Sequence, residues 1–189
     1  MANKENVAVG KPKVGGAIHV APSGTTLPTD AATALATTFV NLGYVSEDGL
    51  TNANSASVET LHAWGKDIIF AKEGDSETYS WTLLEVLDEN VQKFIRGSDN
   101  VTVTEGAMSI QVKRASERAQ LEEHVIVVEM ILHKRAVRHV IPRGVITEVG
   151  EVNYTDDDAV GYQVTVTALP DASGNSHYEY IAAAASSGD

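Results

Sequence analysis

The residues closest to a known catalytic motif are Gly74–Asp75–Ser76, which match the nucleophile box of one class of esterases. A serine nucleophile needs a histidine base and an acid that orients it. The chain has no Asp-x-x-His pair that would supply these partners. We therefore interpret the tripeptide as a hairpin turn, and a small hydrolase that uses Ser76 is kept as an alternative.

Six histidines raise the question of a metal site. His124 and His133 have opposite parity on one predicted strand, so they face opposite ways. His133 and His139 share a face, but the basic run between them would repel a cation. Asp156–Asp157–Asp158 lacks the alternating spacing of a calcium loop. We expect no metal and no cofactor.

The charged residues do not predict an enzyme or a simple DNA-binding module. Glu122 and Glu123 point to opposite faces of a strand, which makes a poor acid–base pair. The formal charge of −12 argues against duplex binding, which needs a surplus of basic residues. One basic cluster lacks interleaved aromatic residues for stacking on bases, so we expect it to pair with the chain's own acids. Its members are Lys134, Arg135, Arg138 and Arg143.

Length and composition favour one folded domain. The chain has 189 residues, of which 43% are hydrophobic and none is cysteine. Residues 1–14 contain no apolar run long enough for a signal peptide. The apolar stretch Val125–Leu132 is too short to span a membrane. We expect a soluble protein.

Hydrophobic residues alternate with a period of two in several segments, which predicts half-buried strands. The clearest are Val160–Leu169, Met108–Val112 and Tyr79–Leu83. His124–Leu132 is apolar on both faces, so it should lie in the middle of the structure. Strand-like runs also cover Leu42–Glu47 and Trp64–Phe70.

Turn residues and one helix complete the predicted fold. Glu105–Gly106 predicts a hairpin, and Asp156–Asp158 joins Gly144–Tyr154 to the strand that follows. A helix should begin at the N-cap Asp88 and end at Gly97, with a weaker helical turn at Thr29–Ala36. Its buried side should carry Val91, Phe94 and Ile95, with Leu87 as a hydrophobic staple. The fold class is all-β, a sandwich or barrel-forming sheet with one flanking helix.

Three segments do not fit this core. Residues 1–16 are interpreted as an extended arm and residues 182–189 as a flexible tail, which leaves 17–181 as the domain. Asp48–Ser57 is small and polar, and it is predicted to be irregular. Long irregular segments in a compact domain are usually functional or disordered.

Four passages together resemble the major tail tube proteins of siphophages, the bacteriophages with long flexible tails. They are VGGAIHVAPSGTTLPTD (Val14–Asp30), FVNLGYVSEDGLTN (Phe39–Asn52), SWTLLEVLDENVQKFIRG (Ser80–Gly97) and VIPRGVITEVGEVNY with AVGYQVTVTALPDASGNSHYEYI (within Val140–Ile181). Their order and spacing carry the resemblance, which covers most of residues 14–181.

The resemblance implies a structural virion protein made in the host cytoplasm. Six copies would form a ring in which each lends four strands to a closed inner barrel of 24 strands, and the rings would stack. The implied partners are further copies of the chain, the tape-measure protein, the tail terminator and the tail-tip proteins. Phage DNA would pass through the lumen without sequence-specific binding, and no membrane is involved.

The resemblance also implies an assembly loop at about residues 47–66 that reaches the next ring. Acids that face the lumen would repel phosphate, and Glu148 and Glu151 are the candidates. A monomeric β-sandwich that decorates a virion or mediates adhesion is the alternative. The assembly-loop candidates are Asp48, Gly49, Leu50, Thr51, Asn52 and Asn54.

Overall fold

A computed structural model describes residues 7–13, 15–111, 122–133 and 135–183, with the backbone alone at 57–63, 67–75 and 183. Its one α-helix, α1, spans Glu89–Arg96, and a single 3₁₀ turn follows at Ser98–Asn100. In chain order the strands are β1 (Gly10–Pro12), β2 (Ile18–Pro22), β3 (Val40–Asn41), β4 (Val45–Ala63), β5 (Lys66–Leu83), β6 (Val101–Thr104), β7 (Ala107–Ile110), β8 (His124–Leu132), β9 (Arg135–Val149), β10 (Tyr162–Ala168) and β11 (Tyr178–Ala183).

Within the described residues, nine strands form one antiparallel sheet in the order β3-β2-β8-β9-β10-β5-β4, with β1 beside β8 and β11 beside β9. Strand β9 is long enough to pair with two different strands along one of its edges. Its first part pairs with β11, from Val140–Tyr178 to Arg135–Ala183, and its last part pairs with β10. The all-β prediction is confirmed, and no closed barrel exists within one chain's described residues.

The main core lies where β2, β8 and β9 approach β10, β5 and the helix. Tyr79, Trp81 and Leu83 are buried on β5, as their alternation predicts, and so are Tyr162, Val164 and Val166 on β10. A second, smaller core covers the other face of β8 and β9 with Phe39, Leu35 and Tyr178. Strand β8 is therefore central and covered on both faces, as predicted.

The helix begins and ends where the sequence predicts. Asp88 Oδ1 accepts hydrogen bonds from the backbone N–H groups of Asn90 (2.8 Å) and Val91 (3.2 Å). Gly97 ends the helix with a positive φ of 88°, which glycine adopts without strain. Val91, Phe94 and Ile95 are buried, whereas Leu87 is exposed and does not act as a staple.

The prediction that residues 48–57 are irregular is wrong, because these residues belong to β4. Gly74–Asp75–Ser76, predicted as a turn, lies inside β5, and the turn is at Trp64–Gly65 instead. Small polar residues have weak strand propensity, so the long pairing with β5 decides the structure rather than the local sequence.

Smaller corrections concern the loops and the ends. Thr29–Ala36 is not helical, because Asp30 Oδ1 accepts the N–H groups of Ala32 and Thr33 (both 2.6 Å) and closes a side-chain turn. The strand predicted over Gly144–Tyr154 ends at Val149. Ala182 and Ala183, predicted to be flexible, belong to β11, whereas residues 184–189 lie outside the described part.

The N-terminal arm is extended, and part of it is strand β1, which pairs with the end of β8. The described part of the arm excludes residues 1–6 and Val14. The hairpin of β6 and β7 is confirmed, since Glu105 (φ 51°) and Gly106 (φ 81°) form its turn. The face of this hairpin that the alternation predicts to be buried is partly exposed to solvent, because Met108 is half-buried and Ile110 is exposed. Val112 lies outside the described residues.

Candidate assembly surface

Strands β4 and β5 form a two-stranded ribbon that continues past the edge of the sheet. Strand β10 pairs with β5 only from Leu83 to Glu77, whereas β4 pairs with β5 as far as Ala63–Lys66. From Ser76 outward, β5 therefore has β4 as its one strand neighbour among the described residues. Residues 51–56 of β4 are exposed on both faces. A two-stranded hairpin is marginally stable in water, so this ribbon needs further contacts to be firmly held.

The tip of the ribbon presents an aromatic side chain to solvent. Trp64 and Gly65 form the turn, with a φ of 81° at Gly65, and Trp64 is fully exposed. Lys66, the next residue, is also exposed. Tryptophan is enriched among the residues that dominate the binding energy of protein–protein contacts, so Trp64 is a candidate contact residue.

A buried carboxylate fixes the ribbon where it leaves the sheet. Glu77 Oε1 accepts hydrogen bonds from Asn52 Nδ2 on β4 (2.9 Å) and from the Tyr79 hydroxyl (2.9 Å). Glu77 Oε2 accepts one from the Ser176 hydroxyl and lies 3.0 Å from His177 Nδ1. We call Glu77, Asn52, Tyr79, Ser176 and His177 the base cluster. It joins β4, β5 and the segment before β11.

Electrostatics favours the charged form of Glu77. Burial by itself disfavours the carboxylate, but the hydrogen bonds from Ser176, Asn52, His177 and Tyr79 outweigh it and lower the pKa of Glu77 to about 2. The same burial and the bond to Glu77 raise the pKa of Tyr79. A carboxylate with such a low pKa and four polar neighbours takes up a proton poorly. The five residues at the base of the ribbon therefore suit a structural role better than proton transfer.

The imidazole of His177, a member of the base cluster, stacks on the imidazole of His139. The rings of His139 and His177 lie 5.7 Å apart and nearly parallel, at 10°, and Tyr79 meets both of them edge-on. Burial lowers the pKa of His139, which favours the neutral ring at neutral pH. Sequence reasoning missed this contact, because His139 lies on β9 and His177 lies 38 positions later, in the segment before β11.

The predicted assembly residues lie in the first third of β4. Asp48 and Gly49 are in a bulge between the paired residues Val45 and Leu50, and Gly49 has a positive φ of 74°. Leu50 packs partly on the main core, Asn52 joins the base cluster, and Thr51 and Asn54 are exposed. The structure thus brings these residues to the base of the ribbon and not to its tip.

The predicted lumen residues do not lie together in one strand. Glu148 is exposed on β9, opposite Thr165 of β10, and Glu151 is exposed beyond the end of β9. The face that Glu148 shares is rich in hydroxyl groups, since Ser80 and Thr165 are 3.1 Å apart, as are Thr147 and Thr167. This face belongs to β9, β10 and β5, and it lies opposite the main core.

A second buried charge cluster holds the arm and the β2–β3 connection. Arg138, only 1% exposed, donates to Glu129 and to the backbone carbonyl groups of Asp30 and Thr33. Lys13 Nζ of the arm donates to the other oxygen of Glu129 at 2.8 Å. Burial disfavours the Glu129 carboxylate, but the bonds from Lys13 and Arg138 lower its pKa.

The basic cluster pairs partly with the chain's own acids, as predicted. Arg143 donates two hydrogen bonds to the Glu123 carboxylate, from Nε at 2.9 Å and from Nη2 at 2.6 Å. With the Arg138–Glu129 pair, this places two of the four basic residues in ion pairs. Lys134 lies outside the described residues.

The other chemistry considered from the sequence gains no support from the described residues. Ser76 lies within a regular strand, where it faces Ser55 of β4. Across the described part of the chain, no three potential metal ligands come together. Nor does that part contain a helix of the length and hydropathy needed to cross a bilayer.

Comparison with known proteins gives one match that covers nearly the whole chain. A family model described as "Phage tail tube protein" matches residues 1–188. No individual curated protein is similar enough in sequence to match.

Proposed function

We propose, from the premise that this chain belongs to the phage tail tube protein family, that it is the major tail tube subunit of a siphophage. Six copies form a ring, and rings stack around the tape-measure protein into a tube. The lumen later conducts the phage genome into the host. Tail terminator and tail-tip proteins close the two ends of this tube.

The observation that carries the proposal is the ribbon of β4 and β5. It extends past its own sheet, exposes both faces over residues 51–56 and leaves the outer edge of β4 unpaired within the described residues. An open strand edge is an aggregation hazard for a protein that works as a monomer. The same edge is useful to a protein that pairs with further copies of itself.

The sheet offers each copy four neighbouring strands for an inner wall. The last part of β9 with β10, β5 and β4 has one face on the core and a hydroxyl-rich face on the other side. Four strands from each of six copies would give 24. Because barrels of about 16–18 strands already hold a water-filled channel, a 24-stranded one would be wider still.

Charge supports passage of DNA without binding. Six copies of a chain with charge −12 carry a formal charge of −72. The hydroxyl-rich part of the proposed wall, where Glu148 lies beside Thr165, offers a phosphate an acid and neutral groups. Repulsion between the acids of the wall and the phosphates of DNA acts over about 10 Å at ~0.1 M salt.

The proposal is tested by electron microscopy of the purified chain over a concentration series. We expect rings at low concentration and tubes with an open lumen at high concentration, because both contacts follow mass action. A chain that stays monomeric at every concentration contradicts the proposal. That result would favour the alternative, a monomeric decoration or adhesion module.

A further inference from the structure

Two histidines face each other where the last strand meets the base of the ribbon. The imidazoles of His139, on β9, and His177, just before β11, stack nearly parallel with their centres 5.7 Å apart. Tyr79 of β5 packs edge-on against both rings. The stacked pair therefore joins three parts of the chain that are far apart in sequence.

The two rings differ in where an added proton would go. His177 Nδ1 lies 3.0 Å from Glu77 Oε2, so a proton added to this ring would form an ion pair with a carboxylate. His139 Nε2 lies 3.8 Å from the Glu179 carboxylate, which favours a hydrogen on that nitrogen. His139 Nδ1 is buried, and no described residue offers it a hydrogen-bond partner. A proton added there would be a buried donor without an acceptor, which is costly.

The groups that surround His139 do not remove this cost. They come from every neighbouring element and are Glu77 and Tyr79 of β5, Glu179 of β11, Val128 of β8 and His177. Burial lowers the pKa of His139, and His177 adds to this effect, whereas Glu179 and Glu77 oppose it without cancelling it. A charge on both stacked rings would also bring two cations close together. The stacked arrangement therefore favours a neutral His139.

The same contacts attach the last strand to the rest of the domain. Strand β11 has β9 as its one strand neighbour among the described residues, with pairs from Val140–Tyr178 to Arg135–Ala183. At its start, Ser176 and His177 attach it to Glu77. An edge strand with a single neighbour opens more readily than the strands of the core. The histidine stack is thus placed where a small change in energy can release β11.

We propose that the His139–His177 stack is a pH-sensitive latch for strand β11. At neutral pH the rings stack and β11 covers the edge of β9. In acid, a charge on His139 is accommodated by opening the stack, so residues 176–177 and β11 leave the base of the ribbon. Opening uncovers the backbone N–H and C=O groups of residues 135–140, a strand edge on which another molecule can pair.

Proton linkage gives the direction and the limit of the effect. The pKa of His139 has its ordinary value of 6.5 in the open form and is lower in the closed form. The closed form is therefore most favoured above pH 6.5 and loses population as the pH falls below it. If His139 stays neutral in the closed form, opening increases by at most about 25-fold from pH 7 to pH 5.

Amide hydrogen exchange of the full chain measures this opening. Protection factors are compared at pH 7 and pH 5, after correction for the pH dependence of exchange in an unfolded peptide. In wild type, we expect the amides of residues 178–181 to lose about fivefold to 25-fold of their protection, and those of β8 to lose less. His139→Phe keeps an aromatic ring in the stack but cannot be charged, so its β11 amides should change by less than about twofold.

His133→Asn is the matched control, because it removes an exposed imidazole at the turn between β8 and β9. Asparagine also tolerates the positive φ of 59° at this position. This variant should lose as much protection in β11 as wild type. A loss that His133→Asn abolishes would assign the pH dependence to the wrong histidine and overturn the proposal.

An NMR titration of the histidine rings in wild type gives a second measurement that needs no variant to fold. The His139 ring should take up its proton at a lower pH than a histidine in a short peptide does. A His139 ring that titrates like the peptide would overturn the proposal. So would β11 protection that is equal at pH 7 and pH 5, or that falls equally in wild type and His139→Phe. These measurements use the unassembled chain, so their outcome is separate from the test of tube assembly.

Discussion

Glu77 is a single side chain that joins β4, β5 and the segment before β11 through its hydrogen bonds. Its carboxyl has an ordinary pKa near 4.5 when unfolded and about 2 when folded. At about 1.4 kcal/mol per pKa unit, this difference corresponds to roughly 3 kcal/mol of stability. Because the folded pKa is the lower one, that stability is present above pH 4.5 and is lost as the pH falls towards 2.

We expect Glu77→Gln to destabilise the unassembled chain by roughly 3 kcal/mol at pH 7, since an amide cannot accept all four contacts. The gap to wild type should shrink as the pH falls from 4.5 to 3. Urea denaturation at several pH values measures it. Asp156→Asn, at an exposed acid, is the control. A gap that is the same at pH 7 and pH 3 would contradict this assignment.

Arg138 and Lys13 share the Glu129 carboxylate but should differ in their importance. Arg138 is buried and donates four hydrogen bonds, whereas the Lys13 side chain is 51% exposed. We expect Arg138→Met to cost about 3–5 kcal/mol, because it leaves the buried Glu129 carboxylate with the half-exposed Lys13 as its one basic partner and the carbonyl groups of Asp30 and Thr33 without their donor. Lys13→Met should cost about 1 kcal/mol or less. Thermal unfolding that ranks the two in the reverse order would refute this view of the cluster.

The ribbon is the element whose loss should separate folding from assembly. Removal of residues 48–57 would take Leu50 from the core and Asn52 from Glu77, so a cut further out is cleaner. We expect replacement of residues 57–74 by an Asn-Gly turn to leave the domain folded and to abolish tubes. Circular dichroism and electron microscopy measure the two effects, and normal tubes from this variant would contradict the assembly role.

The contrast between α1 and β4 shows how far sequence alone can predict this fold. Asp88 and Gly97 act on backbone groups within one turn, so the helix ends follow from local chemistry. Residues 51–56 of β4 have no alternation to reveal a strand, and only the register with β5 makes them one. The base cluster joins residues about 100 positions apart, for which no local pattern exists. An acid inside the apolar strand β8, Glu129, was a usable signal for a buried ion pair.

At the scale of the whole molecule, the charge of the proposed lumen should govern DNA passage and not assembly. We expect Glu148→Lys to leave tubes intact and to slow genome delivery, because a ring of six cations would hold phosphate. Phage that carry the variant can be compared with wild type in a DNA ejection assay at two salt concentrations. Asp156→Lys makes the same charge change outside the hydroxyl-rich face and is the control. Equal delivery rates for all three would count against an electrostatic role for Glu148.

The exposed ribbon also makes the free subunit easy to distinguish from the polymerised one. Lys66 lies in the open at the ribbon tip, where the two strands have only each other for support. Brief trypsin treatment should therefore cleave there first, because proteases act on backbone that opens locally. Burial of the tip in a neighbour would remove this cleavage site, so the resistance of Lys66 to trypsin would report how much of a preparation has polymerised.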